Sequence, residues 1–138
     1  MRVIGIGLDV VDIDRVRRIA GRNEEVFVRR ILGPAERELP AVLRPRRARW
    51  AAYALAIAAK EAFFKALGTG LVGSMRWVDV ELVGRRDRPH LQVSGTSRQE
   101  MTARGVTGLM VSVSATKRIA TATVALTGDA PMESRHGE

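Results

Sequence analysis

Residues 56–70, AIAAKEAFFKALGTG, lie in the longest segment of this sequence that predicts one continuous helix. The predicted helix runs from about residue 46 to residue 67 and closes at Gly68, because glycine is the residue that most often ends helices. At 100° per residue, two opposite sides of it are apolar, one with Trp50, Tyr53, Ile57 and Phe64, the other with Leu55, Ala59 and Phe63. A helix that is apolar nearly all round is buried, so the rest of the fold is expected to pack around it.

Three charged side chains, Lys60, Glu61 and Lys65, stand inside this apolar helix. An unpaired buried charge costs several kcal/mol, so each of them must be paired or bound to something. Glu61 falls in the stripe of Trp50 and Phe64, and Lys65 lies one turn further on. The simplest interpretation is a Glu61–Lys65 pair, worth about 0.2–0.5 kcal/mol on an exposed helix. The alternative is a ligand site, which the helix alone does not identify.

A predicted strand at residues 2–10, RVIGIGLDV, supplies a further carboxylate. Its alternation places Ile4, Ile6, Leu8 and Val10 on one face and Val3, Gly5, Gly7 and Asp9 on the other. The glycines allow another element to approach closely. If the long helix packs on this face, Asp9 and Glu61 converge with Lys65 one turn away. Because Mg²⁺ is typically held by one or two carboxylates with waters and substrate phosphate, and lysine neutralises charge that develops on phosphate, these residues predict a magnesium–phosphate site.

Two neighbouring features have both structural and functional interpretations. Gly68, Thr69 and Gly70 could donate backbone N–H groups to a phosphate, although a helix cap is the default interpretation of GTG. Asp9 could instead cap the helix that follows the strand, but Asp12 is better placed for that role.

The remaining segments alternate between short helices and strands. Helices are predicted from Asp12 or Asp14 to about Ala20, at 24–32, from Pro34 onward and at 96–105. Strands are predicted at 77–84, 91–95, 109–115 and 119–127, the last two joined by a turn at 116–118. The sequence therefore predicts one α+β domain over residues 1–127, with mostly antiparallel strands packed on the long helix. A polar, disordered tail is expected at 128–138.

Composition narrows the possible functions. The chain has 138 residues, two histidines and no cysteine, which excludes disulfides and a thiolate metal site and disfavours a histidine metal site. No uncharged run approaches the about 20 residues that span a bilayer, and the N-terminus lacks a signal-peptide pattern. We expect a soluble, cytoplasmic protein without membrane association.

The net charge of +8 comes mostly from arginines at 15–30 and 44–49. Such a surface attracts polyanions, including phosphorylated cofactors, acidic proteins and nucleic acid. A GC-rich genome is the alternative explanation of the arginines. Aromatic residues make up only 4% of the chain, too few for a base-stacking platform, so we expect no specific nucleic-acid binding.

Two motifs, GIGLDVVDIDRV at 5–16 and KEAFFKALGTG at 60–70, resemble the two signatures of the holo-acyl-carrier-protein synthases, the small 4′-phosphopantetheinyl transferases. Their spacing is that of the family, and WVDVEL, RDRPHLQVSG and VSVSATKRIATATV follow in the family order. The resemblance covers roughly residues 1–127. It implies the phosphopantetheinyl transferase fold, assembled as a homotrimer with active sites between protomers. It also implies Mg²⁺-dependent transfer of 4′-phosphopantetheine from coenzyme A to a serine of an apo acyl carrier protein, which releases adenosine 3′,5′-bisphosphate.

The resemblance assigns roles in the reaction to residues of this sequence. Asp9 and Glu61 match the Mg²⁺ ligands, and Lys65 matches the lysine that contacts the coenzyme A diphosphate. The segment GTG at 68–70 closes the helix where the phosphates of coenzyme A are expected. The serine oxygen attacks the β-phosphorus in line, and a carboxylate or an activated water accepts its proton. Glu36, in the loop GPAE that matches a TxxE-like loop of the family, is the candidate acceptor.

The resemblance also assigns a partner surface. Arg15 matches an arginine on the helix that docks the acidic acyl carrier protein, and Arg18 and Arg22 extend that basic face.

Four positions depart from the family pattern. Ala56 and Ile57 stand where the family has an arginine and an aromatic residue, and Met110 and Ala115 replace the two histidines of HVSxSH. In the family, the arginine and the second histidine help to hold coenzyme A, and a charged hydrogen bond is worth about 1.5–3 kcal/mol. The alternative function is therefore a relative that has lost coenzyme A handling. Such a relative would bind a carrier protein as a scaffold or act on carrier-bound acyl chains.

Overall fold

A computed structural model of the chain describes residues 1–37, 46–85 and 87–129, without the side chains of residues 46 and 47. The elements in chain order are β1 (Arg2–Asp12), α1 (Ile13–Arg22), α2 (Glu24–Ile31), α3 (Pro34–Arg37), α4 (Arg46–Leu67), a 3-10 turn (Trp77–Asp79), β2 (Val80–Arg85), β3 (Arg88–Val93), α5 (Gly95–Ala103), β4 (Val106–Ala115) and β5 (Ile119–Gly128). Within these described ranges, no helix combines the length and the apolar character that a membrane crossing requires.

The strands form two antiparallel sheets, one of three strands in the order β1–β5–β4 and one of two strands, β2–β3. Helix α4 packs along β1 and β5 and also contacts β2 and α1. Its C-terminal half, with Phe63 and Phe64, is buried against Val124 and Leu126 of β5. Its N-terminal half, with Tyr53, is buried in a second cluster that also contains residues of α1. The prediction of an α+β fold built around a buried central helix is confirmed.

Gly5 and Gly7 explain why α4 lies against β1 without intervening side chains. A methyl group at Gly5 would collide with the backbone carbonyl of Ala66, and one at Gly7 with that of Ala62. Two residues advance a strand by about 6.6 Å, and four residues advance a helix by about 6 Å. The distance between the two glycines along the strand therefore matches the distance between the two alanines along the helix. The predicted close approach on the glycine face is confirmed.

The predicted alternation of β1 fails at its first residues. The register with β5 shifts between Val3 and Gly5. As a result Val3 is exposed, whereas Ile4 is half-buried and packs against the core. Beyond this irregularity the strand alternates as predicted.

Several predicted boundaries change in the structure. The strand predicted at 77–84 begins only at Val80, because the preceding three residues form the 3-10 turn. Strand β5 extends to Gly128, and residues 130–138 of the predicted tail lie outside the described residues. The helix predicted from Pro34 onward is described only to Arg37, and residues 38–45 also lie outside.

Replacing Gly7 with alanine should lower the free energy of unfolding by about 3 kcal/mol, because the new methyl group meets rigid backbone rather than a movable side chain. Urea denaturation measures this change. Gly21→Ala is the matched control, since Gly21 is an exposed residue of α1 and an added Cβ would touch nothing within 4 Å. That control should stabilise the protein, by up to about 1 kcal/mol. Equal losses in the two variants would contradict the close contact of β1 with α4.

Candidate active site

Asp9 and Glu61 are brought together where β1 crosses α4. Asp9 follows Gly7 on the inner face of β1, and Glu61 precedes Ala62, the residue that Gly7 contacts. The Asp9 side chain is 17% exposed, and Glu61 is half-buried. Burial raises the pKa of the Glu61 carboxyl, and the negative charge of Asp9 raises it further, whereas Lys65 lowers it. Each carboxylate therefore lies in the electrostatic field of the other.

Lys65 pairs with Asp9 rather than with Glu61. Its ammonium donates to Asp9 Oδ1 at 2.9 Å and to the backbone carbonyl of Leu8 at 3.0 Å. The hydrogen bond to Asp9 raises the pKa of Lys65, and Glu61 adds a smaller attraction. The simplest interpretation of the sequence, a Glu61–Lys65 pair, is therefore wrong. The convergence of Asp9, Glu61 and Lys65 is what the structure shows.

The oxygens at this crossing fit a hard divalent cation. The two carboxylates, Asp9 and Glu61, supply oxygen donors, which are the kind that Mg²⁺ prefers. Over the residues that the structure describes, no group of three or more acidic, histidine or cysteine side chains is gathered in one place. Mg²⁺ usually keeps several waters and substrate oxygens, so a pair of carboxylates, Asp9 and Glu61, suits it.

The GTG segment ends α4. Gly68 has a φ of +85°, and its N–H donates to the carbonyls of Phe64 and Lys65 at 3.0 and 3.1 Å. The N–H of Gly70 also points to Phe64, at 3.4 Å, and the Thr69 hydroxyl donates to the Gly70 carbonyl at 2.8 Å. The helix-cap interpretation of GTG is confirmed. A contact between this segment and a phosphate stays a prediction.

Glu36 and Lys60 form a buried ion pair on the side of α4 that faces β2. Their side chains are 2% and 0% exposed, and Lys60 Nζ lies 2.6 Å from Glu36 Oε1. Burial raises the pKa of Glu36 and lowers that of Lys60, while their mutual attraction opposes both shifts. Both groups have further hydrogen-bond partners: Glu36 accepts from the N–H groups of Gly33 and Leu82, and Lys60 donates to the carbonyls of Trp77 and Val80.

This arrangement argues against Glu36 as the acceptor of the serine proton, a role that stays a prediction. Both of its carboxylate oxygens are occupied, and the side chain has almost no contact with solvent. Glu36 instead ties α3 to α4 and β2. Lys60 was not assigned a role from the sequence, although a lysine within an apolar helix was a signal that a buried partner exists. Nothing in the sequence around residue 36 identifies that partner.

The family of the chain follows from comparison with known proteins. The sequence profile of the 4′-phosphopantetheinyl transferase superfamily matches residues 5–121. The chain belongs to this superfamily. This transferase is 43% identical over 130 residues to the holo-[acyl-carrier-protein] synthase of Clavibacter michiganensis subsp. michiganensis, an alignment that covers 92% of this chain and 98% of that one. It is 40% identical over 113 residues to the holo-[acyl-carrier-protein] synthase of Desulforudis audaxviator, with 81% and 83% of the two chains covered.

Solved structures of holo-[acyl-carrier-protein] synthases share the fold of this transferase. The crystal structure from Neisseria meningitidis superposes with a TM-score of 0.79 at 26% identity, covering 91% of this chain and 99% of that one. The structure from Bacillus anthracis, in complex with CoA (3′,5′-ADP), has a TM-score of 0.73 at 27% identity and coverages of 92% and 98%. The family membership and the fold implied by the two motifs are confirmed.

In this transferase, Ala56 and Ala115 lie within one apolar cluster. Ala56 is buried beside Tyr53 and Leu55, and the half-buried Ala115 packs against the same cluster. Met110, in contrast, is exposed on the outer face of β4. The space around the two alanines is therefore filled by apolar side chains rather than by an arginine and a histidine.

The predicted partner-binding arginines lie on one side of α1. Arg15, Arg18 and Arg22 are exposed, opposite the buried residues of the helix. Asp14 pairs with Arg18 at 3.0 Å. Ile19, which lies between Arg18 and Arg22 along the chain, is also exposed. The transferase thus presents a basic surface with an apolar residue in it, which is a suitable composition for binding an acidic protein.

Proposed function

We propose that this protein transfers 4′-phosphopantetheine from coenzyme A to a serine of an apo acyl carrier protein, in a Mg²⁺-dependent reaction. The convergence of Asp9, Glu61 and Lys65 at the crossing of β1 and α4 carries this proposal. The relatives from Desulforudis audaxviator and Clavibacter michiganensis support it, since both are holo-[acyl-carrier-protein] synthases. One of the similar solved structures is a complex with CoA (3′,5′-ADP).

Each residue of the crossing has a proposed role. Asp9 and Glu61 would hold Mg²⁺. When bound, Mg²⁺ supplies positive charge that offsets the negative charge of the diphosphate and of the leaving bisphosphate. Lys65 would contact the diphosphate of coenzyme A. The serine oxygen forms the new bond to the β-phosphorus, and the bond from that phosphorus to the oxygen of adenosine 3′,5′-bisphosphate breaks. The proton of the serine passes to a carboxylate other than Glu36 or to water.

The test is to mix the protein with coenzyme A, Mg²⁺ and apo acyl carrier proteins from the source genome. Mass spectrometry should show one carrier protein gaining the mass of a single phosphopantetheine group. No gain with any carrier protein at high enzyme concentration would refute the proposal. Calorimetry with coenzyme A alone distinguishes the transferase from the scaffold alternative. The transferase must bind coenzyme A, whereas the scaffold would bind a carrier protein but not coenzyme A.

We also propose that the protein assembles as a homotrimer with active sites between protomers. The outer face of the three-stranded sheet supports an interface there, because it exposes several large apolar side chains: Val3, Ile6, Leu8, Val10 and Met110. An apolar patch of this kind on a sheet is typical of a surface that another protein covers.

Replacing Ile6 with aspartate should convert the trimer to monomers, because each interface would then bury an unpaired charge. Sedimentation or light scattering of the variant should give about one third of the wild-type mass. Gln99→Glu, which adds the same charge on the exposed side of α5, should leave the mass unchanged. A wild-type protein that is monomeric, or an Ile6→Asp variant that stays a trimer, would contradict this interface.

The basic surface of α1 is proposed to bind the carrier protein. Replacing Arg22 with glutamate should raise the KM for the carrier protein by about 10-fold at low salt, with little change in kcat, because the charge aids encounter rather than chemistry. Steady-state kinetics at two salt concentrations measure this, and the difference should shrink at the higher one. Arg98→Glu, the same reversal on exposed α5, should leave the KM near the wild-type value. An effect on kcat alone would argue against docking at α1.

We propose further that residues 1–127 act as a single domain in the cytoplasm, where coenzyme A and acyl carrier proteins meet. The proposed partners include neither a specific nucleic acid nor a membrane.

A further inference from the structure

Lys65 contacts an oxygen of Asp9 that a divalent cation at the proposed metal site could also use. Its ammonium contacts Asp9 Oδ1 at 2.9 Å and the Leu8 carbonyl at 3.0 Å. Asp9 Oδ1 is one of the carboxylate oxygens of the proposed metal site. Glu61 adds a second carboxylate in the same field, so the crossing holds two negative charges and one internal positive charge. Among the described residues, the lysine is the cation that pairs with Asp9.

The two partners of this ion pair differ in their freedom to move. Asp9 belongs to β1, where it is paired in register with Ala122 of β5, and its side chain is only 17% exposed. The Lys65 side chain is 53% exposed, and its ammonium stands on a flexible four-carbon stem. If the pair is broken, the lysine therefore moves away toward solvent while the carboxylate stays in place.

A lysine and a divalent cation would compete for the oxygen of Asp9 that Lys65 contacts, Oδ1. The metal must approach carboxylate oxygens to about 2.0–2.1 Å, and an ammonium held beside the same oxygens would repel it strongly. We propose, on the basis of the proposed function, that Lys65 is an internal counter-ion that competes with the divalent metal for Asp9. Binding of the metal then releases the ammonium from Asp9 and frees it for the diphosphate.

This competition has a consequence for substrate binding. The ammonium that leaves Asp9 becomes available to a phosphate only when the metal is present. Metal and coenzyme A should therefore each increase the affinity of the protein for the other, since coupling between two sites is reciprocal. A lysine that served only as a phosphate contact, without binding Asp9, would change the metal affinity in the absence of coenzyme A no more than other exposed lysines do.

The experiment measures Mn²⁺ binding to the free full-length protein, without coenzyme A, by electron paramagnetic resonance or calorimetry at fixed ionic strength. Lys65→Met should bind Mn²⁺ about 5- to 10-fold more tightly than wild type, even though its transfer activity falls. Lys65→Arg, which keeps the charge, should show no such gain. Lys117→Met removes one positive charge from the exposed turn between β4 and β5 and should leave the affinity unchanged.

The possible results test the counter-ion role of Lys65 and the proposed metal site separately. Equal or weaker Mn²⁺ binding by Lys65→Met, in a protein whose binding is lost on Asp9→Asn, would overturn the counter-ion role and leave the metal site standing. If neither wild type nor Lys65→Met binds Mn²⁺, both the counter-ion role and the metal site are refuted for the free protein. Binding by Lys65→Met but not by wild type would support the competition directly. Circular dichroism should confirm that each variant is folded.

Discussion

Replacing Asp9 with asparagine should lower the rate of phosphopantetheine transfer by about 1000-fold or more, because it removes one of only two carboxylates at the proposed metal site. Asparagine has nearly the same shape as aspartate, so the packing of β1 against α4 should be kept. The change also removes the charge that holds Lys65 in place. Glu61→Gln should have an effect of similar size. Mass spectrometry of the carrier protein, at saturating Mg²⁺ and coenzyme A, measures both rates.

The matched control for this prediction is Asp12→Asn in the same segment. Asp12 accepts hydrogen bonds from the N–H groups of Asp14 and Arg15 at 2.9 and 3.2 Å and so caps α1. Asparagine caps helices about as well as aspartate, so this variant should keep its activity to within about 2-fold. An Asp9→Asn protein with activity within about 10-fold of wild type would show that Asp9 does not hold an essential metal.

Replacing Lys60 with methionine should lower the free energy of unfolding by about 3–5 kcal/mol, because it leaves the carboxylate of Glu36 buried without its counter-ion. Lys60 and Glu36 are both almost completely buried, so neither charge can be compensated by water. The loss is a large part of the about 5–15 kcal/mol that stabilises a domain. Urea denaturation at fixed protein concentration measures it.

Lys65→Met is the matched control on the same helix. The two substitutions are identical, but the Lys65 side chain is more than half exposed and the Lys60 side chain is not exposed at all. The control should therefore lower the free energy of unfolding by no more than about 1 kcal/mol, the upper value for an ion pair with an exposed partner. Adding Glu36→Leu to Lys60→Met should restore only part of the loss, because the N–H groups of Gly33 and Leu82 then lack their acceptor. A Lys60→Met protein within about 1 kcal/mol of wild type would contradict a structural role for the ion pair.

The features that could be predicted from the sequence are those with a local or periodic signal. The apolar periodicity of residues 46–67 predicted the buried helix, and the glycine face of the first strand predicted close packing. Together these two inferences were enough to place Asp9 beside Glu61. The motifs at 5–16 and 60–70 then indicated the family, which the comparisons confirmed.

The features that could not be predicted depend on contacts between distant parts of the chain. Spacing along the helix favoured Glu61 as the partner of Lys65, but Asp9 lies closer in the folded protein although it is 56 residues away. The role of Glu36 depends on a lysine 24 residues away. The irregularity between Val3 and Gly5 lies in the pairing of β1 with β5. This pairing cannot be predicted from the sequence of β1 alone.

The contact of Gly5 and Gly7 with Ala66 and Ala62 also limits how the length of this protein can change during evolution. One residue inserted between Gly5 and Asp9 would turn a large side chain against α4 and move Asp9 to the outer face of the sheet. One residue inserted after Glu61 would rotate Lys65 by about 100° around the helix. Insertions in the loops between these two segments cost far less, because loop closure depends only weakly on length. Gaps between this chain and its relatives should therefore collect in loops and spare both segments.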